Sequence, residues 1–195
     1  MIMDAEGLVL AGGRSSRMGQ DKSSLIGPHR ETLLQRAINT LQQSVAGPIR
    51  VSRPYQWPDP DPYDLPDTTA YRGPLQGIMQ GLAACRRSWL AVLAVDCPNA
   101  SSQVYDLLFE AADPKATVII PRHGQILQPL LGLWSPRLID HIDEQLRQGS
   151  LRVAAALTHS GVRIIDIADP RWLINLNNRE DFEQWMERNS LVEPS

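Results

Sequence analysis

Gly7-Leu8-Val9-Leu10-Ala11-Gly12-Gly13-Arg14-Ser15-Ser16-Arg17-Met18-Gly19-Gln20-Asp21-Lys22 is the stretch from which the fold can be read. Its first five residues form a short apolar run without polar alternation, the pattern of a strand buried on both faces of a parallel sheet. The run stops at two adjacent glycines, whose missing Cβ atoms let backbone N–H groups approach a phosphate or a base. Arg17 and Lys22 bring fixed positive charge to the same loop, and each can neutralise oxygens of a triphosphate. A loop that follows a strand and precedes a helix opens into the crevice beyond the carboxyl ends of the strands, where open α/β sheets bind ligands. The spacing is not that of Walker A, because Gly19 lies three residues before Lys22 and Gly13 six before Gly19, and GxGxxG is also missing. Read as residues alone, the stretch is a phosphate-binding loop or a surface turn with two solvated cations. Its place directly after a strand favours the first.

Working outward, residues 31–44 read as a helix, with Leu33, Leu34, Ala37, Ile38 and Leu41 on one face. Residues 49–52 are a second strand. Residues 54–66 carry Pro54, Pro58, Pro60, Pro62 and Pro66, too many for any helix, and read as an ordered surface loop. Gly73-Pro74 opens a helix with proline in its first turn, whose buried stripe is Leu75, Ile78, Met79 and Leu82. Residues 89–95 form the strongest strand and end at Asp96. Ser101 caps a helix through Ala112, with Val104, Leu107, Leu108 and Ala111 inward. Residues 117–120 and 126–134 flank Arg122-His123-Gly124-Gln125, a hairpin turn. Ser135-Pro136 starts another helix, residues 150–159 a further one, residues 162–167 and 172–176 are strands, and residues 181–188 lie in a closing helix. The expected architecture is α/β: a three-layer, Rossmann-like, mostly parallel mixed sheet with helices on both faces and a late antiparallel excursion around 117–134. Residues 1–195 are expected to form one domain, with 189–195 frayed.

Bulk composition narrows the function classes. Hydrophobic residues make up 43% and charged residues 21%, ordinary for a globular chain, and 195 residues suffice for a sizeable core. A net charge of −3 supplies no global field for nucleic acid or an anionic membrane, so neither is expected as a partner. No apolar run is long enough to span a bilayer, and the first residues lack the basic start of a signal peptide. The two cysteines, Cys85 and Cys97, are far apart and form no CxxC pair, which argues against a zinc site or a disulfide scaffold and suits a reducing cytoplasm.

The string LAGGRSSRMGQDK resembles the signature of the molybdenum cofactor guanylyltransferase (MobA) family of nucleotidyltransferases. Further stretches agree in the same order: Asp67 followed by Arg72-Gly73-Pro74-Leu75-Gln76-Gly77-Ile78, Val95-Asp96-Cys97-Pro98, Gln128-Pro129-Leu130, and Ile174-Asn175-Leu176-Asn177-Asn178-Arg179-Glu180-Asp181. The LAGGRSSRMGQDK string is the highly specific motif, and the resemblance spans nearly the whole chain. It implies an enzyme that transfers GMP from GTP to the terminal phosphate of Mo-molybdopterin, releasing pyrophosphate. The sequence departs from the family's pattern at Arg72, at Asn178-Arg179, at Asn99, and along residues 51–54, to which no base-binding role is therefore carried over.

The chemistry falls on few residues. Backbone at Leu10, Ala11, Gly12 and Gly13 would meet base and phosphates, and Arg17 and Lys22 the triphosphate. Asp96, ending a strand on the same sheet edge, can hold Mg²⁺, which takes few protein ligands and fills its shell with phosphate oxygens and water. Arg17, Lys22 and Asp96 are thus the expected catalytic set. Asp67 matches a family position for nucleotide binding, where a carboxylate suits guanine's N1–H and N2–H₂ edge; a turn-forming Asp is the alternative. Gly73 would allow close backbone approach. Asn175 and Asn177, alternating on a strand, and Gln128 are candidates for contact with the acceptor or metal-bound water, with helix capping the other reading of the two asparagines. The acceptor phosphate is already an anion, so no general base is required. Two rivals remain: a sister enzyme using CTP, which tends to carry Ala-Ala-Gly in place of Ala11-Gly12-Gly13, and a non-catalytic nucleotide-binding protein on the same fold. A monomer is expected, with transient contact to proteins that deliver or accept the labile cofactor, although no residue identifies them.

Overall fold

The computed structural model describes residues 3–11, 21–58, 60–67, 73–158 and 161–190. Gly12, Gly13 and Arg17 lie outside the described residues, as do Arg72 and His159.

Strand β1 (Glu6–Leu10) is buried along its whole length, and so is β4 (Leu90–Ala94). After Glu6, which pairs with Arg50, β1 is apolar, as β4 is throughout, because both are central: β1 pairs in parallel with β2 (Ile49–Arg53) on one side and with β4 on the other. Beyond β2 lies β3 (Asp64–Pro66), a three-residue parallel edge strand. On the far side of β4, the hairpin of β5 (Val118–His123) and β6 (Ile126–Leu127) continues into β7 (Leu131–Trp134), which runs antiparallel to both β4 and β5. Strand β8 (Val162–Asp166) then pairs in parallel with β5. The order is β3-β2-β1-β4-β7-β5-β6, with β8 attached to β5, the mixed sheet with one antiparallel excursion that the sequence implies.

Helices cover both faces. Helices α1 (Leu33–Ser44) and α3 (Ser102–Glu110) pack together on one face, and α2 (Gly73–Ala84) and α4 (Ile139–Arg147) on the other. Short α5 (Val153–Ala156) packs on α4, and α6 (Arg179–Ser190) closes the described chain. The predicted stripes of α1 and α2 are the buried ones, led by Leu33, Ala37 and Leu41 on α1 and by Leu75, Ile78 and Leu82 on α2. Helix α2 sits unusually close to the sheet. A Cβ added at Gly77 would stand 2.5 Å from Ser52 Oγ, and one at Gly81 2.6 Å from Leu8 Cδ2. Among the described residues, no helix is long and apolar enough to cross a membrane.

Several expectations need correction, among them the helix expected over 150–159, which spans only Val153–Ala156, and the turn expected over 122–125, whose Arg122 and His123 belong to β5. The 54–66 stretch is not loop throughout, because residues 64–66 pair with β2. A proline is tolerated there on a short edge strand, and the buried Arg53–Asp64 ion pair, 2.9 Å, ties the two strands together. In α3, Tyr105 and Phe109 turn inward while Leu107 is 38% exposed, a phase shift of the helix that lets Tyr105 donate to the Val92 carbonyl at 2.7 Å. Ser101 occupies the N-cap position, but its hydroxyl makes no capping bond. Residues 172–176 are not a strand: Pro170–Leu173 form a 3-10 turn capped by Asp169, and the following residues join no ladder because their backbone groups bond elsewhere.

Candidate active site

The sheet order reverses between β1 and β4, and their carboxyl ends adjoin: Leu10 is in register with Ala94, and the Val95 N–H donates to the Leu10 carbonyl at 3.2 Å. This is the topological switch point at which open α/β sheets bind ligands. Leu10 and Ala11 are buried there, and the Ala11 N–H donates to the Ser52 carbonyl at 3.2 Å, so both residues are fixed where the glycine loop departs.

The chain re-enters at Asp21, whose carboxylate accepts from the Ser23 N–H at 3.0 Å and caps a 3-10 turn over Lys22–Ser24. That turn aims Lys22 back at the sheet. Lys22 Nζ donates to the Leu176 carbonyl at 2.6 Å and stands 3.6 Å from Asp96 Oδ2, two residues past the end of β4. The side chains are 18% and 29% exposed, so they share a partly open cleft at the switch point. The ammonium commits its close hydrogen bond to the peptide, and among the described residues the Asp96 carboxylate otherwise meets only the Cys97 thiol, 3.9 Å from Oδ1. A carboxylate so placed suits a hard cation that needs one protein ligand and takes the rest of its shell from phosphate and water. Among the described residues there is no group of three or more His, Cys, Asp or Glu side chains that could enclose a metal by themselves.

Behind Asp96 runs a relay. Cys97 Sγ lies 2.9 Å from Asn175 Oδ1, Asn175 Nδ2 donates to Gln128 Oε1 at 3.0 Å, and Gln128 Nε2 donates to the Leu173 carbonyl at 2.9 Å. The Leu176 N–H donates to the Asp96 carbonyl at 2.8 Å. The 173–176 segment is therefore strapped across the end of β4 by side chains from three elements. Burial pushes the Cys97 thiol well above its ordinary range, and the neighbouring Asp96 carboxylate adds in the same direction. Gln128 is buried with both ends of its amide engaged inside the protein, whereas Asn177 is exposed and its N–H donates to Asp181 Oδ2 at 2.7 Å. The two asparagines thus do not share a face.

Asp67 follows β3 at the same sheet edge, two strands from β1, and its N–H donates to the Arg53 carbonyl at 2.8 Å. Its Oδ1 is buried without a hydrogen-bond partner among the described residues, and desolvation raises its carboxyl from 3.8 to about 6. Gln80 on α2 donates from Nε2 to the Pro66 carbonyl at 3.3 Å, and its buried Oε1 likewise has no partner among the described residues. Gly73 begins α2 at φ +68°, where an L side chain would be strained.

Sequence reasoning missed Gln80, the Leu176 carbonyl and the relay role of Cys97; a backbone acceptor leaves no signal in residue type. Two departures from the family pattern find local explanations. Asn99 accepts from Trp185 Nε1 at 2.8 Å, pinning α6 to the segment after Asp96, and Asn178 caps α6 by accepting from the Asp181 N–H at 2.9 Å. A cavity of about 520 Å³ opens at the Leu90 end of β4, lined by Arg87, Trp89, Asp113 and Arg137 among others; none of the predicted site residues lines it.

The family model of the MobA-like NTP transferase domain matches residues 7–162. The chain is 33% identical over 184 residues to a probable molybdenum cofactor guanylyltransferase of Nostoc sp. (strain PCC 7120), covering 89% of this chain and 86% of that protein. It is 27% identical to the molybdenum cofactor guanylyltransferase of Aliivibrio fischeri, with 91% and 93% covered. The fold superposes on the crystal structure of molybdopterin-guanine dinucleotide biosynthesis protein A from Archaeoglobus fulgidus with a TM-score of 0.78 at 18% identity, covering 96% of this chain and all of that one.

Proposed function

We propose a guanylyl transfer for this chain, which belongs to the MobA-like NTP transferase family: GMP passes from GTP to the terminal phosphate of Mo-molybdopterin, giving molybdopterin guanine dinucleotide and pyrophosphate. The observation that carries the reading is the 3.6 Å approach of Lys22 to Asp96 at the adjoining ends of β1 and β4. An ammonium and a partly exposed carboxylate in one cleft are the fixed charges that a triphosphate and its counter-ion need.

Lys22 neutralises phosphate oxygens, with Arg17 and the amides of Gly12 and Gly13 as its partners in the loop. Asp96 holds Mg²⁺, and the ion when bound neutralises charge gathering on the departing pyrophosphate. An oxygen of the acceptor phosphate forms the new bond to the α-phosphorus as the bond to the bridging oxygen breaks, and the electron pair leaves with pyrophosphate. The attacking oxygen carries no proton, so no side chain has to remove one. The work left to the protein is positioning and charge complementarity. Asp67 Oδ1 and Gln80 Oε1 are two buried acceptors without donors among the described residues, which supports guanine, whose N1–H and N2–H₂ edge presents donors.

The test is pyrophosphate release in the presence of Mo-molybdopterin, with GTP, CTP and ATP in turn and with Mg²⁺ present or chelated. Release with GTP and Mg²⁺ is expected. Release with CTP instead overturns the guanine assignment, and release with none overturns catalysis.

A further inference from the structure

We infer that Cys97 is a positioning residue, whose thiol fixes the orientation of the Asn175 amide and thereby leaves one N–H of Asn175 available to a phosphate oxygen beside Lys22 and Asp96. The inference rests on the transfer reaction proposed above for the same site.

The argument starts from the one group in the relay whose role cannot be exchanged. The Leu173 carbonyl can only accept, so Gln128 must turn Nε2 toward it. Gln128 Oε1 then faces Asn175, which must answer with Nδ2. Asn175 Oδ1 is left facing Cys97 Sγ at 2.9 Å, and the sulfur must be the donor. No other setting of the two amides gives all three contacts both a donor and an acceptor. The thiol is therefore required as S–H. A thiolate would face the Asn175 oxygen and the Asp96 carboxylate, 3.9 Å away, with no donor on either side.

What remains on Asn175 follows by count. One Nδ2 hydrogen goes to Gln128 and one Oδ1 lone pair to Cys97. The second Nδ2 hydrogen has no acceptor among the described residues. Gln128 is buried, whereas Asn175 is only half-buried, so Asn175 is where the relay reaches the cleft. Residue 176, the next in the chain, bonds Lys22 through its carbonyl and Asp96 through its N–H. An N–H donor on the residue next to the one that holds the Lys22 ammonium suits an anionic oxygen. That oxygen belongs to the nucleotide or to the acceptor, and separate kinetics with each substrate tell them apart.

The experiment compares wild type, Cys97→Ala and Cys97→Ser, with thermal unfolding recorded for each. GMP transfer is measured with GTP varied and then with Mo-molybdopterin varied. The side-chain NH₂ signals of Asn175 are followed in a ¹H–¹⁵N spectrum, identified by their loss in Asn175→Asp. Cys97→Ala is expected to shift those signals and to lower kcat/KM for one of the two substrates about fivefold, the effect of one lost hydrogen bond. Cys97→Ser, which keeps a donor, is expected to restore both. The inference is overturned if the Asn175 signals do not move in Cys97→Ala, if they move while both kcat/KM values stay within twofold of wild type, or if serine folds as stably as wild type yet rescues nothing. A wild-type protein that transfers no GMP overturns the reaction instead; the NH₂ signals then still decide whether the thiol orients Asn175.

Discussion

Two carboxylates stand at the same edge of one sheet in opposite settings. Asp96 follows β4, next to the switch point, with the Lys22 ammonium 3.6 Å away and a protonated thiol behind it. Asp67 follows edge strand β3, with one oxygen buried and unpartnered among the described residues, and α2 brings in Gln80, whose Oε1, also without a donor there, is a second acceptor. The difference teaches that the chemistry at a strand end is set by what the neighbouring elements present. A carboxylate that already faces a cation and remains open is prepared for a second cation. One that is desolvated without a donor is prepared for N–H groups and is costly until they arrive.

The largest expected effect comes from breaking the first setting. Asp96→Asn keeps the size of the side chain and removes its charge, so GMP transfer should fall by about three orders of magnitude or more with little change in unfolding temperature. A variant that retains the wild-type rate of pyrophosphate release would remove Asp96 from the mechanism. Lys22→Met tests the cation of the same pair. Its loss should lower kcat/KM for GTP about a hundredfold, the scale for removing one preorganised donor from a developing anion. It also leaves the Leu176 carbonyl without its partner, so proteolysis near residue 176 should quicken; an unchanged kcat/KM would show that Lys22 serves only to hold that segment.

How much of this was legible depends on where each element spends its hydrogen bonds. Strands β1 and β4 could be read because a central strand covered on both faces is apolar on both, Asp96 because it stands just past such a run, and Lys22 because it closes the glycine-rich stretch that follows one. Edge strand β3 could not: three residues ending in Pro66, after a proline-rich stretch, give no periodicity to detect. The segment around Asn175 was misread for another reason. Alternating Ile174, Leu176 and asparagines mimic a strand, but the backbone groups of Leu173 and Leu176 bond Gln128, Lys22 and Asp96 instead of a neighbouring strand. Residue types report which side chains are polar. They do not report which peptide carbonyls a distant lysine or glutamine will find.

The second setting yields smaller effects that separate Asp67 from Asp96 more sharply. If Asp67 receives donors from the base, its ionised form binds and its protonated form does not. Affinity for GTP should then rise as pH increases through about 6, the value to which burial lifts the carboxyl, and level off above it. Asp67→Asn should flatten that profile and weaken GTP binding about tenfold at pH 7.5, a loss read by calorimetry. A profile that persists in the asparagine variant would assign the titration elsewhere.

The smallest effect is on stability in the nucleotide-free protein, and its sign is fixed by the direction of the same shift. Between the ordinary value of 3.8 and about 6, the folded chain holds a proton at Asp67 that the unfolded chain has released. Stability must therefore fall as pH rises through that window and stay flat above it. Asp67→Asn removes this slope, so the variant should gain on wild type as pH goes from 4 to 7. GTP should reverse the order by supplying the missing donors to wild type alone. Denaturant midpoints of wild type and Asp67→Asn at pH 4, 5.5 and 7 would decide it. Parallel curves for wild type and Asp67→Asn would mean that the Asp67 oxygen is already satisfied in the folded protein, and the distinction between the two carboxylates would collapse.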